Sequence, residues 1–400
     1  MRPAGRAADP REVAVRRSVP DRRGRRRGPV PGSGGAVPAR QPQPRAAHRL
    51  RGDPRIGRVT PVPGGVVPTF RGSIRPAEIG PTLIHEHVFV GHPELDLNHP
   101  HPEWDLEKAV EEAVAALTRL HDLGIRTVVD LTVLGLGRDV ARVARVAERV
   151  PVHLVAATGY YTSNVLPPFF RTHGPGRLVD GPDPLVEYFV RDIEEGIAGT
   201  GIRAGMIKVV TDEEGFTDDV ARVFTAAAEA HRHTGVTVTT HSRPALRNGL
   251  DQLAFLRDRG VAPERVVIGH SGDSEDLDYL RRLMDEGATI GMDRFGMEHV
   301  LHDDRRVATV LALLRLGYAD RMVLSHDAAC FSRMTPPSWR AVHAPHWLYE
   351  NIPRRVQPML HAGGATEADI HQMIVTNPAR LLAPATQNFR RPGAPADLGW

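Results

Sequence analysis

Four hundred residues, 41% hydrophobic and 25% charged, supply enough apolar side chains for a large core and fit one large barrel or two ordinary domains. The formal net charge of +3 is unevenly spread: residues 1–58 hold sixteen Arg against four acidic residues, a surplus of +12 that leaves −9 for the rest. A mildly acidic body disfavours a nucleic-acid partner, the single Cys330 excludes an internal disulfide and fits a cytoplasmic setting, and no apolar run is long enough to span a bilayer.

Residues 1–65 are rich in Arg, Pro, Gly and Ala, lack a periodic apolar pattern and are expected to be disordered. No apolar run follows the Arg16-Arg17 and Arg22-Arg23 pairs, which argues against an export signal. The segment reads as a basic arm or, preferably, as an upstream extension from a misassigned start codon. One domain is expected over 66–386, with a flexible tail over 387–400.

From Thr82 onward β-rich runs recur at 82–90, 127–133, 153–159, 205–211, 237–242, 266–271, 289–294 and 322–327, with helical patterns between most of them. In 105–123 the residues Leu106, Val110, Val114, Leu117 and Leu120 repeat at helical spacing before Gly124. Asp183-Pro184 opens a second helix as N-cap and first residue; stripes in 218–234 and 276–286 end at Gly235 and Gly287. Eight β units with helices between them predict an α/β fold, a closed (β/α)8 TIM barrel. An open doubly wound sheet is the alternative, but no Gly-rich phosphate loop follows the first run. Residues 335–386 read as further helices on the barrel.

Barrel active sites lie at the C-terminal ends of the strands, and ligand-type residues recur there. The first run carries His85-Glu86-His87, whose two imidazoles alternation sends to one face. The fifth ends in Thr239-Thr240-His241, the sixth in Ile268-Gly269-His270 and the eighth in Ser325-His326-Asp327. Among 51 basic residues only Lys108 and Lys208 are lysines, and Lys208 stands in the apolar run Ala204-Gly205-Met206-Ile207-Lys208-Val209-Val210. Burial lowers a lysine pKa, and the neutral amine can add carbon dioxide to give an anionic carbamate that bridges two cations, which a guanidinium cannot do. The competing reading pairs Lys208 with a buried carboxylate.

With Lys208 as a bridge, His85, His87 and Asp327 are expected to hold a buried metal and His241 and His270 an exposed one. The carbamate and a hydroxide would span both. Imidazole and carboxylate donors without thiolate suit Zn2+, with Co2+, Mn2+ and Fe2+ as the other candidates. Two such ions about 3.5–4 Å apart would activate water, and Asp327 would take its proton.

Over about Thr69 to Arg380 the sequence resembles the phosphotriesterase family of the amidohydrolase superfamily. The matching stretches are Ile84-His85-Glu86-His87, Val129-Asp130-Leu131-Thr132 with Gly135-Leu136-Gly137-Arg138, Ile207-Lys208-Val209, Thr240-His241, Gly269-His270-Ser271-Gly272-Asp273, Gly291-Met292-Asp293-Arg294-Phe295-Gly296 and Ser325-His326-Asp327. The resemblance implies a binuclear site with a carboxylated lysine, a homodimer, and hydrolysis of organophosphate triesters, lactones or related esters. Arg294, where organophosphate specialists have His, looks like the phosphotriesterase-like lactonase branch. In that branch Tyr161 matches a tyrosine over the exposed metal, and Asp273 matches a carboxylate able to receive a proton from Asp327. The expected function is lactone or ester hydrolysis with promiscuous phosphotriesterase activity. The alternatives are an aryldialkylphosphatase-type triester hydrolase or a hydrolase of another metabolite ester or amide. The loop from Cys330 to about Trp347 departs from the lactonase pattern.

The other histidines read as bland. His231 and His233 near a helix C-terminus suit imidazolium on the dipole, His326 and Glu86 should face away from the metals, and His92, His99 and His101 read as loop residues.

Overall fold

The computed structural model describes residues 65–384, so the expected N-terminal extension, apart from residue 65, and the 387–400 tail lie outside the described residues. A hairpin of β1 (Val67–Thr69) and β2 (Gly72–Ile74) comes first. Then follow β3 (Thr82–Val90), β4 (Thr127–Asp130), β5 (His153–Gly159), β6 (Ala204–Val210), β7 (Val238–His241), β8 (Val266–Gly269), β9 (Thr289–Met292), β10 (Met322–Leu324) and β11 (Ala329–Ser332). The last nine form one parallel sheet in the order β10-β9-β8-β7-β6-β5-β4-β3-β11. The sheet curls until β10 returns to β3: Asp327 N–H donates to His85 O at 3.0 Å and His85 N–H to Ser325 Oγ at 2.9 Å. Strands β3 to β10 are the eight expected runs, and the fold is the (β/α)8 barrel.

The helices start where the sequence supplies caps. Asp105, Asp183, Thr217 and Asp276 each accept a backbone N–H at the head of Leu106–Asp122, Pro184–Glu194, Asp218–Thr234 and Leu277–Asp285. Gly235 closes Asp218–Thr234 in the left-handed conformation, φ 73°. Residues 337–382 add helices, two with a π-helical turn. Among the described residues no helix is long and apolar enough to cross a membrane.

Two apolar layers result. Outward residues of the strands, such as Leu83, Val128, Ile207 and Ile290, pack under the helices. Inward residues Ile84, Val129, Val155, Met206, Val267 and Val323 fill the barrel, where Val67 of the hairpin and Leu381 and Leu382 of the final helix join them. That leaves the C-terminal end of the barrel for polar residues.

Candidate metal centre

Strict alternation would put Ile84 and His85 on opposite faces, yet both face inward. A register irregularity between Leu83 and Glu86 in the β3–β4 pairing supplies the bulge that allows it. His85 and His87 therefore stand above Ile84, with Lys208 on β6 and His241 at the end of β7. His270 and Asp327 follow the ends of β8 and β10 with φ of 61° and 56°. Non-glycine residues pay about 1–3 kcal/mol for such a backbone, and here it turns both side chains into the centre.

Each imidazole presents one nitrogen to the centre and has a partner for the other. His85 Nε2 and His87 Nε2 lie 3.3 and 3.0 Å from Asp327 Oδ1. His270 Nε2 and His241 Nδ1 converge at 2.9 Å. Behind them Asp293 takes His85 Nδ1–H at 2.7 Å on Oδ2, and His270 Nδ1 lies 3.2 Å from its Oδ1, which also accepts the His270 backbone N–H at 2.7 Å. His87 Nδ1 meets Thr132 Oγ1 at 2.9 Å, and His241 Nε2 lies 3.4 Å from Asp212 Oδ2. Outer partners of this kind fix the tautomer and aim of ligating histidines. Gly291 and Gly269 make room for Asp293: a Cβ on Gly291 would sit 2.5 Å from its Oδ2, and one on Gly269 3.2 Å away.

Lys208 is 1% exposed, with Nζ 3.1 Å from His85 Nε2 and 3.4 Å from Thr240 O; among the described residues it has no carboxylate within ion-pair distance. The buried carboxylate partner weighed from sequence is absent there, and burial pushes the amine down to about 8. Burial likewise pushes His241 down to about 4 and His270 well below its ordinary value, so both are neutral donors at pH 7. Burial works against the charge of Asp327, but the imidazoles of His85 and His270 hold its carboxyl well below the usual range. Four convergent imidazoles, those of His241 and His270 held neutral, with an ionised carboxylate and a buried amine lacking an ion pair among the described residues, form a donor set that fits divalent cations. His85, His87 and Asp327 already converge closely enough to share one.

Around this set stand the expected substrate-side residues. Arg294 Nε donates to Asp327 Oδ2 at 3.1 Å and its Nη1 to Asp273 Oδ2 at 2.9 Å. Asp273 Oδ1 receives Nη2 of the fully buried Arg306 at 2.5 Å. Both Asp273 oxygens are thus engaged by guanidinium groups. Tyr161 packs edge-on to His241, ring centroids 5.7 Å apart. Burial, reinforced by Asp327, pushes its hydroxyl up to about 12 and keeps it a donor.

Glu86 faces away from the centre, as expected, accepting from Ser325 Oγ, His326 N–H and Ala328 N–H at 2.8–2.9 Å. His326 joins that network through Nδ1 at 2.7 Å and accepts Ile352 N–H at 2.9 Å. His92 caps the short helix Pro93–Asn98, and His101 accepts from Glu103 N–H, so both organise their loop. His231 departs from expectation. Its ring is buried, Nδ1 donates to Val236 O at 2.8 Å, and burial lowers its pKa, so it is a neutral core group and not an imidazolium on the dipole.

Sequence reasoning assigned no role to Asp293, Thr132, Asp212 or Arg306. Asp293 and Thr132 did carry a signal, as polar residues continuing the apolar runs of β9 and β4. Asp212 and Arg306 sit among other charged residues and carried none.

The comparisons agree with this geometry. Residues 65–382 match the Phosphotriesterase family. The chain belongs to the phosphotriesterase family. The "Phosphotriesterase homology protein" of Mycobacterium tuberculosis is 46% identical over 314 residues, covering 78% of this chain and 96% of that protein. The "Aryldialkylphosphatase" of Saccharolobus solfataricus is 36% identical over 315 residues, 78% of this chain and 98% of the relative. A solved structure of the phosphotriesterase from Mycobacterium tuberculosis superposes with a TM-score of 0.78 at 45% identity, covering 80% of this chain and 98% of that one. As a family member the protein is a metal-dependent hydrolase acting on esters.

Proposed function

We propose that this phosphotriesterase-family hydrolase is binuclear, opens lactones and related carboxylic esters, and hydrolyses phosphotriesters as a side activity. His85, His87 and Asp327 would hold one divalent cation and His241 and His270 the other, Zn2+ being the best match to nitrogen and oxygen donors without thiolate. Lys208 carries the reading: a buried amine with no carboxylate within ion-pair distance among the described residues, pushed down to about 8, is poised to react with carbon dioxide. The N–C bond would form with loss of one proton, and the resulting anionic carbamate would offer oxygen donors to the cations. When bound, the cations would supply an activated water and polarise the substrate's electrophilic oxygen.

The chain's own groups do the rest. Asp327, held ionised, takes a proton from water at the centre. Arg294 holds Asp327 in line and faces the developing charge, while Asp273, gripped by Arg294 and Arg306, fixes that guanidinium. Tyr161 offers its hydroxyl proton to the substrate carbonyl. Arg294 favours the lactone reading. The 36% identical aryldialkylphosphatase favours a second one, in which triesters are the better substrates. A homodimer in a cytoplasmic setting completes the proposal, supported by the family resemblance and by the single cysteine.

The test combines metal analysis with rates on acyl-homoserine lactones, simple γ- and δ-lactones and an aryl dialkyl phosphate. Two metal equivalents per chain and the higher kcat/KM on lactones are expected. Lys208→Ala should lose metal and at least about 100-fold in rate. Full metal occupancy and full rate in Lys208→Arg would remove the carbamate from the reading, and faster triester turnover would install the second one.

A further inference from the structure

Beside β11 the helix Leu106–Asp122 and the segment 337–350 flank a cleft of about 400 Å3, within the roughly 300–1,000 Å3 of small-ligand pockets. Its walls are mostly short and apolar: Ala115 and Ala116 from the helix, Ala341, Ala344 and Leu348 from the facing segment. Arg340, 8% exposed, is the buried cation in this wall. Nη1 and Nη2 donate to Ala329 O and Cys330 O, the second at 3.0 Å. A guanidinium carries five N–H donors, and Nε–H finds no acceptor among the described residues.

The charges of the cleft are unequally matched. Glu350 is neutralised by Arg119 and Arg354, each at 2.8 Å, and Glu112 faces Lys108 at 3.7 Å. Glu103, the carboxylate whose field reaches Arg340, is occupied by Ser338 through N–H at 2.9 Å and Oγ at 2.7 Å. Arg340 has no carboxylate within ion-pair distance among the described residues. A buried cation without a counter-ion is costly, and the cost falls when an anion with a small apolar body fills the space before it.

We propose that this cleft is a binding site for a monocarboxylate with an apolar body, its head on the Arg340 guanidinium and its chain against Ala116, Ala344 and Leu348. The inference does not depend on which ester the metal centre hydrolyses. Tyr349, also in the wall, donates its hydroxyl to His87 O, so an occupant would bear on the strand that carries His85 and His87.

The metal-loaded protein should be titrated calorimetrically with octanoate, octan-1-ol and octylammonium at constant ionic strength, and crystals soaked in 8-bromooctanoate. Octanoate should bind at least about tenfold more tightly than the alcohol or the amine, and the anomalous bromine peak should fall in the cleft. Arg340→Gln should weaken octanoate about tenfold. Should that variant fold poorly, Ala116→Phe fills the cleft without touching the cation and should abolish the same binding while keeping esterase activity. Bromine only at the metal centre, equal affinity for the alcohol, or unchanged octanoate affinity in Ala116→Phe would each overturn the proposal.

Discussion

The two ends of the barrel are built from the same strands by opposite means. At the floor Ile84, Val129, Val155, Met206, Val267 and Val323 meet Val67 and Leu381, and nothing but shape is specified. Further up, His85 on β3 and Lys208 on β6, with His270 and Asp293 just past the ends of β8 and β9, are just as buried but polar, and each is tied to a named partner. Floor residues are replaceable by volume, rim residues only by chemistry. The expected consequence is separation: floor substitutions act on stability and leave the centre working, whereas rim substitutions act on the centre.

The largest effect should come from Asp293, because one carboxylate aims two imidazoles. Removing a single outer partner of a metal-ligating histidine costs about 10–100-fold in affinity or activity, so Asp293→Ala should lose about 100-fold or more in both. Metal analysis and kcat/KM measure this, and a variant with full metal and full rate would show that Asp293 merely fills space between Gly269 and Gly291.

At the floor, Met206→Ala should lower unfolding free energy by about 2–5 kcal/mol in denaturant titration. The kcat of the fully metal-loaded fraction should stay within about twofold. A large fall in that kcat would mean that floor and rim are coupled, and the comparison would fail.

A smaller rim effect is expected at Thr132, which supports one imidazole through a neutral hydroxyl. Thr132→Val keeps the shape and should weaken metal binding about tenfold, read by competition with a chelator. Thr132→Ser should restore it; a serine variant as weak as valine would assign the loss to packing.

The contrast between the ends also explains what was legible in the sequence. Strands β3 to β10 were visible because buried parallel strands read as short apolar runs, and the helices because apolar stripes follow Asp183-Pro184 or end at Gly124, Gly235 and Gly287. The inward histidines and Lys208 were visible because they interrupt or end apolar runs. Hidden were the features that exist only in three dimensions. The bulge in β3 has no glycine to announce it, β11 lies in a loop-like segment, and Arg306 reaches Asp273 across 33 positions of chain from a helix rich in charge. The neutrality of His231 was hidden too, since its position in Asp218–Thr234 suggests a dipole partner and only the fold shows the ring buried.

That last residue gives the smallest effect and the finest test, because His231 is a buried imidazole outside the rim. Its folded pKa lies below the ordinary value, chiefly through burial, so the unfolded chain takes up a proton first as pH falls through about 6.5. Its contribution to stability is therefore complete above that pH and is lost as pH falls below it, with the loss ending once the folded ring also protonates. Wild type and His231→Gln should be compared by urea unfolding at pH 7.5 and 5.5, where the rim histidines, common to both proteins, cancel in the difference. The wild type should lose up to about 1 kcal/mol more than the variant on acidification. An imidazolium serving the helix dipole would give the opposite sign, with the wild type gaining on the variant in acid, and would return His231 to the role that its sequence position suggests.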